Sequence, residues 1–376
     1  MIEHDFQDLE LFITGPISIR QEVREAGLLP EFGHRDAEND KRFGPIRENL
    51  RKISGAGEDY EILVVNGSGS TAMEMSVRSL VAADETVLNV SVGAFGDLYH
   101  KLAAVNGKNA EQLKFEYGEA VDIGRLREEL KRVRPAVVTM THNETSTGVK
   151  NDIVSACRAV REAGALPLVD GVSIFGGCDI ELETARPAMY VTSTQKALGL
   201  PAGFGIAFVQ REAFEKAGGV KNRGHASDIL AQRERAAKNQ TLTTPNCTLA
   251  NQMYVQLKYI VEHEGIEARF KRHRELKQIT ADFVGGLDGY GFFAPKGFRS
   301  PTMTCVRAPE GVSFDDLKTL KERMRARGYL FDPGYAKLNK SLGAAGLPPV
   351  FRIGHMGDMR PDALKRYLAD LGPELA

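Results

Sequence analysis

The amino-acid sequence predicts an α/β fold, in which a large domain on a mainly parallel seven-stranded sheet precedes a small C-terminal α+β domain. From residue 61, short β-branched runs alternate with amphipathic stretches, which is typical of strands joined by helices in a parallel sheet. After Pro245 the pattern changes to long charged helices. The 376 residues also suit two domains of roughly 100–200 residues each. We therefore expect a large domain over residues 1–255 and a small one over residues 256–376.

The individual elements follow from local composition. Seven short apolar runs predict the strands of the large sheet: Glu61–Val65, Thr86–Val90, Leu113–Tyr117, Ala136–Thr141, Leu166–Asp170, Tyr190–Thr194 and Gly205–Val209. Between them, apolar residues recur at helical spacing in Ser70–Val81 and Ile153–Glu162. The later part of the chain predicts helices Leu249–His263 and Ile266–Phe283, strand Thr302–Val306, helix Ser313–Arg327, strands Tyr329–Phe331 and Phe351–Gly354, and a last helix from Pro361.

Composition and charge exclude several classes of function. Lys and Arg number 49 against 50 Asp and Glu, so no net field draws the chain to nucleic acid or to an anionic membrane. The four cysteines lie far apart and the eight histidines do not cluster with them, so we expect no metal site and no disulfide framework. The acidic N-terminal residues lack a signal-peptide pattern. We expect a soluble cytoplasmic protein that acts on small molecules.

A glycine-rich turn joins the first predicted strand to the first amphipathic helix. Gly67, Gly69 and Ala72 match the G-x-G-x-x-A dinucleotide fingerprint, but the second strand does not end on the acidic residue that would hold a ribose. The backbone N–H groups of such a turn, together with the hydroxyls of Ser68 and Ser70, form a cradle for one phosphate. The alternative is a turn that only connects two elements.

Lys196 follows a buried-looking strand and precedes the apolar, glycine-rich stretch from Ala197 to Gly205. A lysine desolvated there has a lowered pKa, which suits an amine that must be neutral to form a Schiff base. The alternative is a lysine on a surface turn, although its neighbours offer no solvated charged surroundings. We interpret Lys196 as a candidate nucleophile.

Two further charged residues lie where apolar strands predict burial. Asp170 ends the strand Leu166–Asp170, at the sheet edge where α/β proteins bind ligands, and is either a helix cap or a partner for a pyridine nitrogen. A carboxylate opposite that nitrogen keeps it protonated, as pyridoxal phosphate chemistry requires. Arg352 interrupts an apolar strand and favours a bidentate bond to a substrate carboxylate, with a structural salt bridge as the alternative.

Taken with other motifs, these residues resemble the class V aminotransferases of pyridoxal phosphate fold type I. Within that class the chain is similar to the alanine/serine–glyoxylate and 2-aminoethylphosphonate–pyruvate aminotransferases. The resemblance covers nearly the whole chain and rests on Gly15-Pro16, Gly33-His34-Arg35-Asp36, Asn66–Glu74, Gly93-Ala94-Phe95-Gly96, His142–Gly148, Val169–Gly177, Ser193–Lys196 and Phe351–Asp358.

The resemblance implies a role for each matching residue. Lys196 would form a Schiff base with pyridoxal 5'-phosphate and carry the proton between the substrate and the cofactor, while Asp170 would pair with the pyridine nitrogen. The remaining implied contacts are Phe95 and Val172 on the two ring faces, Thr145 at the phenolic oxygen, Ser68, Gly69, Ser70 and Gln195 at the phosphate, and Arg352 at the substrate carboxylate. Thr243 or Thr244 would join the phosphate from a neighbouring subunit, since family members are homodimers with shared active sites. Many relatives carry Trp where this chain has Phe95, and this chain contains no Trp.

The function implied is transfer of an amino group from a small amino acid, such as alanine or serine, to glyoxylate or pyruvate by a ping-pong mechanism. The nearest alternative is 2-aminoethylphosphonate–pyruvate aminotransferase, which Gly33-His34-Arg35-Asp36 and the Pro333-Gly334 turn favour. Arg20 or Arg35 would then be a second anion partner, unless each is a surface residue.

Two more distant alternatives remain. A lyase or desulfurase of the same fold would need a cysteine on a mobile loop, whereas Cys305 lies on a predicted strand. A non-catalytic homologue within a larger complex would not need Lys196, Asp170 and Arg352 together.

Overall fold

The computed structural model describes residues 6–375, so the first five residues of the N-terminal segment and Ala376 lie outside the description. The strands are β1 (Glu10–Leu11), β2 (Tyr60–Gly67), β3 (Thr86–Ser91), β4 (Asn109–Lys114), β5 (Val137–Thr141), β6 (Asn143–Glu144), β7 (Val149–Lys150), β8 (Leu166–Asp170), β9 (Met189–Ser193), β10 (Gly203–Gln210), β11 (Gly291–Phe292), β12 (Met303–Arg307), β13 (Tyr329–Leu330) and β14 (Val350–Gly354).

The helices are α1 (Gln21–Ala26), α2 (Ala37–Ser54), α3 (Gly69–Leu80), α4 (Ala94–Val105), α5 (Ile123–Val133), α6 (Ile153–Glu162), α7 (Leu182–Ala185), α8 (Arg211–Gly219), α9 (Ile229–Ala236), α10 (Cys247–Lys258), α11 (Ile266–Gly285), α12 (Phe314–Ala326), α13 (Ala336–Ala344) and α14 (Pro361–Leu375). A π-helical turn, Tyr259–Glu264, joins α10 to α11 and ends the predicted helix Leu249–His263 early. Among residues 6–375, no helix has the length and apolar character needed to cross a membrane.

Seven strands form the central sheet in the order β2-β10-β9-β8-β5-β3-β4, which confirms the predicted α/β class. Neighbouring pairs from β9 through β4 run parallel, whereas β10 is antiparallel to both of its neighbours. Strands β5 and β9 are buried along their whole length, which explains why both consist mainly of β-branched and apolar residues. The sheet is therefore mainly parallel, as predicted.

The carboxyl ends of β2, β5, β8 and β9 meet at one edge of this sheet. Strand β10 pairs with both β2 and β9, and its register places Gly203 opposite Gly67 and Gly205 opposite Ser193. The glycine-rich turn and the segment leading to Lys196 are thus brought together. Ligands of open α/β sheets bind at this edge.

The small C-terminal sheet consists of the antiparallel strands β11, β12 and β14. The N-terminal strand β1 pairs in parallel with β13, and the ring of Phe12 stacks on Tyr367 of helix α14 at 3.8 Å between ring centroids. The N-terminal segment therefore packs on the C-terminal part of the chain. The predicted boundary at residue 255 falls inside helix α10 and stays a prediction.

Two further features of the secondary structure differ from the prediction. The strand predicted at Leu113–Tyr117 is β4, which begins at Asn109 and ends at Lys114. It is an edge strand with a largely polar sequence, so the apolar Phe115 and Tyr117 shifted the prediction past its end. The long loop before Arg352 contains helix α13, which sequence periodicity did not reveal.

Candidate active site

Lys196 lies just beyond strand β9 and is partly buried, and its amine donates a hydrogen bond to the carbonyl of Thr14. The pKa of Lys196 is lowered to about 8, mainly by burial and in smaller part by the positive charge of Arg352. The carboxylates of Asp332 and Asp170 act in the opposite direction. This amine is neutral in part near physiological pH, which a lysine on a surface turn would not be.

Asp170 is the last residue of β8 and is buried. Burial raises the pKa of its carboxyl to about 7, opposed by a hydrogen bond that the backbone N–H of Val172 donates to Oδ1 at 2.8 Å. The charge of Glu144 raises this pKa as well, and that of Lys196 lowers it. A positively charged ring nitrogen placed beside Asp170 would stabilise its ionised form.

The N-terminus of helix α3 forms a close contact with two neighbouring elements. Ser68 is the N-cap residue, and its backbone N–H donates to Thr71 Oγ1 at 3.1 Å. A Cβ added to Gly69 would lie 2.3 Å from Val172 Cγ2 and 3.3 Å from Ser193 Oγ. Only glycine allows this approach. The exposed Ser70 follows in the first turn of the helix.

Two polar atoms beside this helix N-terminus have no hydrogen-bond partner among the described residues. They are Ser193 Oγ and Gln195 Oε1, and both atoms are buried. Buried polar groups need partners, and a helix N-terminus attracts anions. The hydroxyl of Ser193 and the start of α3 therefore fit the phosphate of pyridoxal phosphate, and Gln195 fits it when its amide presents the Nε2 donor instead of Oε1. Ser193 was not among the predicted phosphate contacts; it is the last residue of β9, and Thr194 and Gln195 form a turn after it.

The buried carboxylate of Glu144 holds the backbone at Phe95 and Ser146. The backbone N–H groups of Phe95 and Gly96 donate to Glu144 Oε2 at 3.0 and 3.1 Å, and the N–H and hydroxyl of Ser146 donate to Oε1. Burial raises the pKa of Glu144. A Cβ at Gly93 would lie 2.4 Å from Glu144 Cγ, which explains that glycine. The ring contacts of Phe95 and Val172 and the hydroxyl role of Thr145 stay predictions.

Arg352, which lies on strand β14, is engaged on two sides. Its Nη2 lies 3.1 Å from each carboxylate oxygen of Asp332, and its Nη1 donates to the carbonyl of Thr145 at 3.0 Å. Its Nε is buried and has no hydrogen-bond partner among the described residues. The salt bridge considered as an alternative for Arg352 is thus present, and sequence reasoning missed Asp332. The guanidinium still has an unused N–H for a ligand.

Thr243 lies beside the end of strand β2 of its own chain, where Asn66 Nδ2 donates to Thr243 Oγ1 at 3.1 Å. Thr244 is exposed, and its carbonyl accepts a second hydrogen bond from Asn66. Both threonines are therefore close to the glycine-rich turn. Their contribution to a neighbouring subunit stays a prediction.

The two arginines considered as further anion partners bind other groups. Arg20 forms an ion pair with Asp358 at 3.3 Å, and its guanidinium lies over the ring of Tyr259. Arg35 is exposed and donates to the side chain of Gln240 and to the carbonyls of residues 241 and 242. The guanidinium groups of Arg20 and Arg35 are therefore engaged outside the site around Lys196.

Comparison with known proteins places this geometry in a family. The family model described as Aminotransferase class-V matches residues 26–326. An uncharacterized aminotransferase of Methanocaldococcus jannaschii is 32% identical over 92% of this chain and 87% of that protein. A serine–glyoxylate aminotransferase of Methylorubrum extorquens is 30% identical over 96% and 89%, and a 2-aminoethylphosphonate–pyruvate transaminase of Syntrophobacter fumaroxidans is 26% identical over 95% and 94%. The crystal structure of an alanine–glyoxylate aminotransferase from Nostoc superposes with a TM-score of 0.89 at 24% identity, over 100% of this chain and 96% of that one.

Proposed function

The chain belongs to the class V aminotransferase family, and from this premise we propose that it moves the amino group of a small amino acid to glyoxylate or pyruvate. It is a pyridoxal phosphate-dependent transaminase, and the identity of its substrates is the part that we propose. Alanine and serine are the expected donors. The relative named as a serine–glyoxylate aminotransferase, which is 30% identical, supports this choice.

The observation that carries the proposal is the pairing of a desolvated amine with an arginine in one pocket. The pKa of Lys196 is lowered to about 8, and Arg352 contributes to that shift through its charge. A carboxylate bound at Arg352 would place the α-carbon of an amino acid near the Lys196 amine. The same amine could then take a proton from that carbon and deliver it again at neutral pH.

Bound pyridoxal phosphate supplies an electron sink that stabilises negative charge at the substrate α-carbon. We assign Ser68, Gly69, Ser70, Gln195 and Ser193 to its phosphate. Asp170 would hold a proton at the pyridine nitrogen. Phe95 and Val172 would face the ring and exclude water from it, and Thr145 would meet the phenolic oxygen. Arg352 would orient the substrate through its carboxylate.

A half-reaction screen tests the proposal. The holoenzyme is mixed with single amino donors, without acceptor, while the visible absorbance of lysine-bound cofactor and the release of 2-oxo acid are followed. Alanine or serine should bleach the band and release pyruvate or hydroxypyruvate in an amount equal to the enzyme sites. A Lys196→Ala variant should do neither at a comparable rate. The absence of bleaching with every small amino acid would refute the proposal.

The second candidate substrate is 2-aminoethylphosphonate. The Pro333-Gly334 turn before Arg352 and the relative that is 26% identical favour it. In the same screen, bleaching by this phosphonate in preference to alanine and serine would select it. A desulfurase is disfavoured because Cys305 lies buried on strand β12, where burial raises the pKa of its thiol to about 12. A non-catalytic homologue would fail to bind pyridoxal phosphate.

We also propose a cytoplasmic homodimer with shared active sites. Lys196→Ala and a Thr243→Ala/Thr244→Ala double variant should each have low activity as pure dimers. If the threonines act on the partner's phosphate, mixed dimers contain one intact site and recover activity after the two variants are unfolded and refolded together. No recovery in mixtures shown to contain mixed dimers would contradict sharing, and cell fractionation tests the location.

A further inference from the structure

A carboxylate that the proposed reaction does not use pairs with Arg352 and lies close to Lys196. Asp332 is buried, with a side chain that is 7% exposed, and it pairs with Arg352, whose side chain is 12% exposed. The hydroxyl of Thr14 also donates to Asp332 Oδ2 at 3.2 Å, and the carbonyl of the same threonine accepts the bond from Lys196. A single residue, Thr14, therefore hydrogen-bonds to both Asp332 and the amine of Lys196.

The backbone fixes this pair in place. The N–H of Arg352 donates to the carbonyl of Asp332 at 3.0 Å, and the N–H of Gly334 donates to Asp332 Oδ1 at 3.0 Å. Gly334 has a φ of +93°, and a Cβ there would lie 2.1 Å from the carbonyl oxygen of Val350. Asn339, on helix α13, donates to the carbonyls of Pro333 and Val350 and so ties the turn to strand β14. Asp332 cannot leave Arg352 without breaking this turn.

The ion pair of Arg352 with Asp332 limits the negative charge that a ligand bound at Arg352 can carry. The positive charge of Arg352 is already balanced by Asp332, and its Nε–H has no partner among the described residues. A phosphonate dianion or a second carboxylate would bring another negative charge close to Asp332, and Arg20 and Arg35 bind other groups of this chain. Like charges a few ångströms apart in a partly buried site repel strongly. Such repulsion discriminates between ligands that bind the same arginine.

We propose that Asp332 is a specificity-determining residue, which restricts the enzyme to substrates with a single carboxylate and excludes phosphonates and dicarboxylates. The proposal rests on the proposed function, because it takes Arg352 as the site of the substrate carboxylate. It goes further by selecting between the two candidate substrates. It also gives a role to a residue that the family resemblance did not mark.

Binding of unreactive anions to the holoenzyme tests this role apart from catalysis. Propionate, succinate and methylphosphonate are titrated by calorimetry into wild type, Asp332→Asn and Asp332→Glu at a pH where methylphosphonate is mainly a dianion. Wild type should bind propionate at least ~10-fold more tightly than either dianion. Asp332→Asn should narrow that ratio at least ~10-fold, which corresponds to about 1.4 kcal/mol. Asp332→Glu keeps the charge and should keep the preference, even if all three ligands bind more weakly.

Two results would overturn the proposal. One is tighter binding of succinate or methylphosphonate than of propionate by the wild type. The other is an equal weakening of all three ligands in Asp332→Asn, which would mean that Asp332 only positions Arg352. The donor screen separates the two proposals: selective propionate binding without alanine or serine turnover refutes the proposed function alone, whereas turnover without anion selectivity refutes the role of Asp332 alone.

Discussion

Replacing Lys196 with methionine should make the apoprotein more stable at neutral pH, although it should abolish activity. The amine of Lys196 is charged at pH 7 in a poorly hydrated site, and burial has lowered its pKa from 10.5 to about 8. Because each unit of pKa corresponds to 1.36 kcal/mol, keeping the folded amine charged costs up to about 3 kcal/mol below pH 8. The lost hydrogen bond to Thr14 offsets roughly 1 kcal/mol. The variant should therefore gain about 2 kcal/mol at pH 7.

The stability difference between wild type and Lys196→Met should depend on pH. Between pH 8 and 10.5 the unfolded chain keeps a proton on this lysine that the folded chain has released, so the stability of the wild type rises with pH through that interval. Lys196→Met lacks this rise. The advantage of Lys196→Met should be constant below pH 8, should fall by up to about 3 kcal/mol as the pH approaches 10.5, and should reverse there, so that the wild type becomes more stable by about 1 kcal/mol.

Urea unfolding of cofactor-free protein, at one protein concentration and at several pH values, measures the difference. Lys101→Met, at an exposed position on helix α4, is the matched control and should show no such change with pH. A difference that is independent of pH, or a Lys196→Met variant less stable than wild type at pH 7, would refute the claim that the amine is desolvated.

Three further substitutions probe the cofactor site. Gly69→Ala brings a Cβ to 2.3 Å from Val172 and should cost about 1–3 kcal/mol of stability in urea unfolding, whereas Gly218→Ala, where a Cβ meets nothing within 4 Å, should not destabilise. Ser193→Ala should weaken cofactor binding roughly tenfold or more in equilibrium titration, because it removes a hydroxyl that has no other partner. Asp170→Asn removes a carboxyl whose pKa is raised to about 7. Ionising this carboxyl costs free energy in the folded protein, so Asp170→Asn should be more stable than wild type above pH 7. Its kcat should fall at least ~100-fold. An unchanged kcat would contradict the role of Asp170.

Strands buried on both faces were predictable from the sequence, because such burial requires a continuous run of mainly apolar residues. The edge strand β4 was misplaced because half of its residues face solvent. The pairing of β1 with β13 was not predictable, since the two strands lie more than 300 residues apart and each has only two residues. Local patterns do not encode such contacts.

The residues of the candidate site also differ in whether the sequence alone predicts them. Lys196 and Asp170 stood out because a charged residue at the end of an apolar strand is unusual. Asp332 did not, because an Asp-Pro-Gly sequence is typical of a surface turn, and only the fold shows that this turn lies beside Arg352. Glu144 was hidden in the polar run His142–Gly148, which is buried throughout; the carboxylate of Glu144 is satisfied there by the backbone of Phe95 and by Ser146.

The central claim, that Lys196 is the amine that holds the cofactor, can be tested by chemical trapping. The holoenzyme is reduced with borohydride, digested, and analysed by mass spectrometry for a peptide carrying the added mass of the cofactor. We expect one modified peptide, with the modification on Lys196, and none in Lys196→Met. A modification on another lysine, or none in the wild type loaded with pyridoxal phosphate, would contradict it.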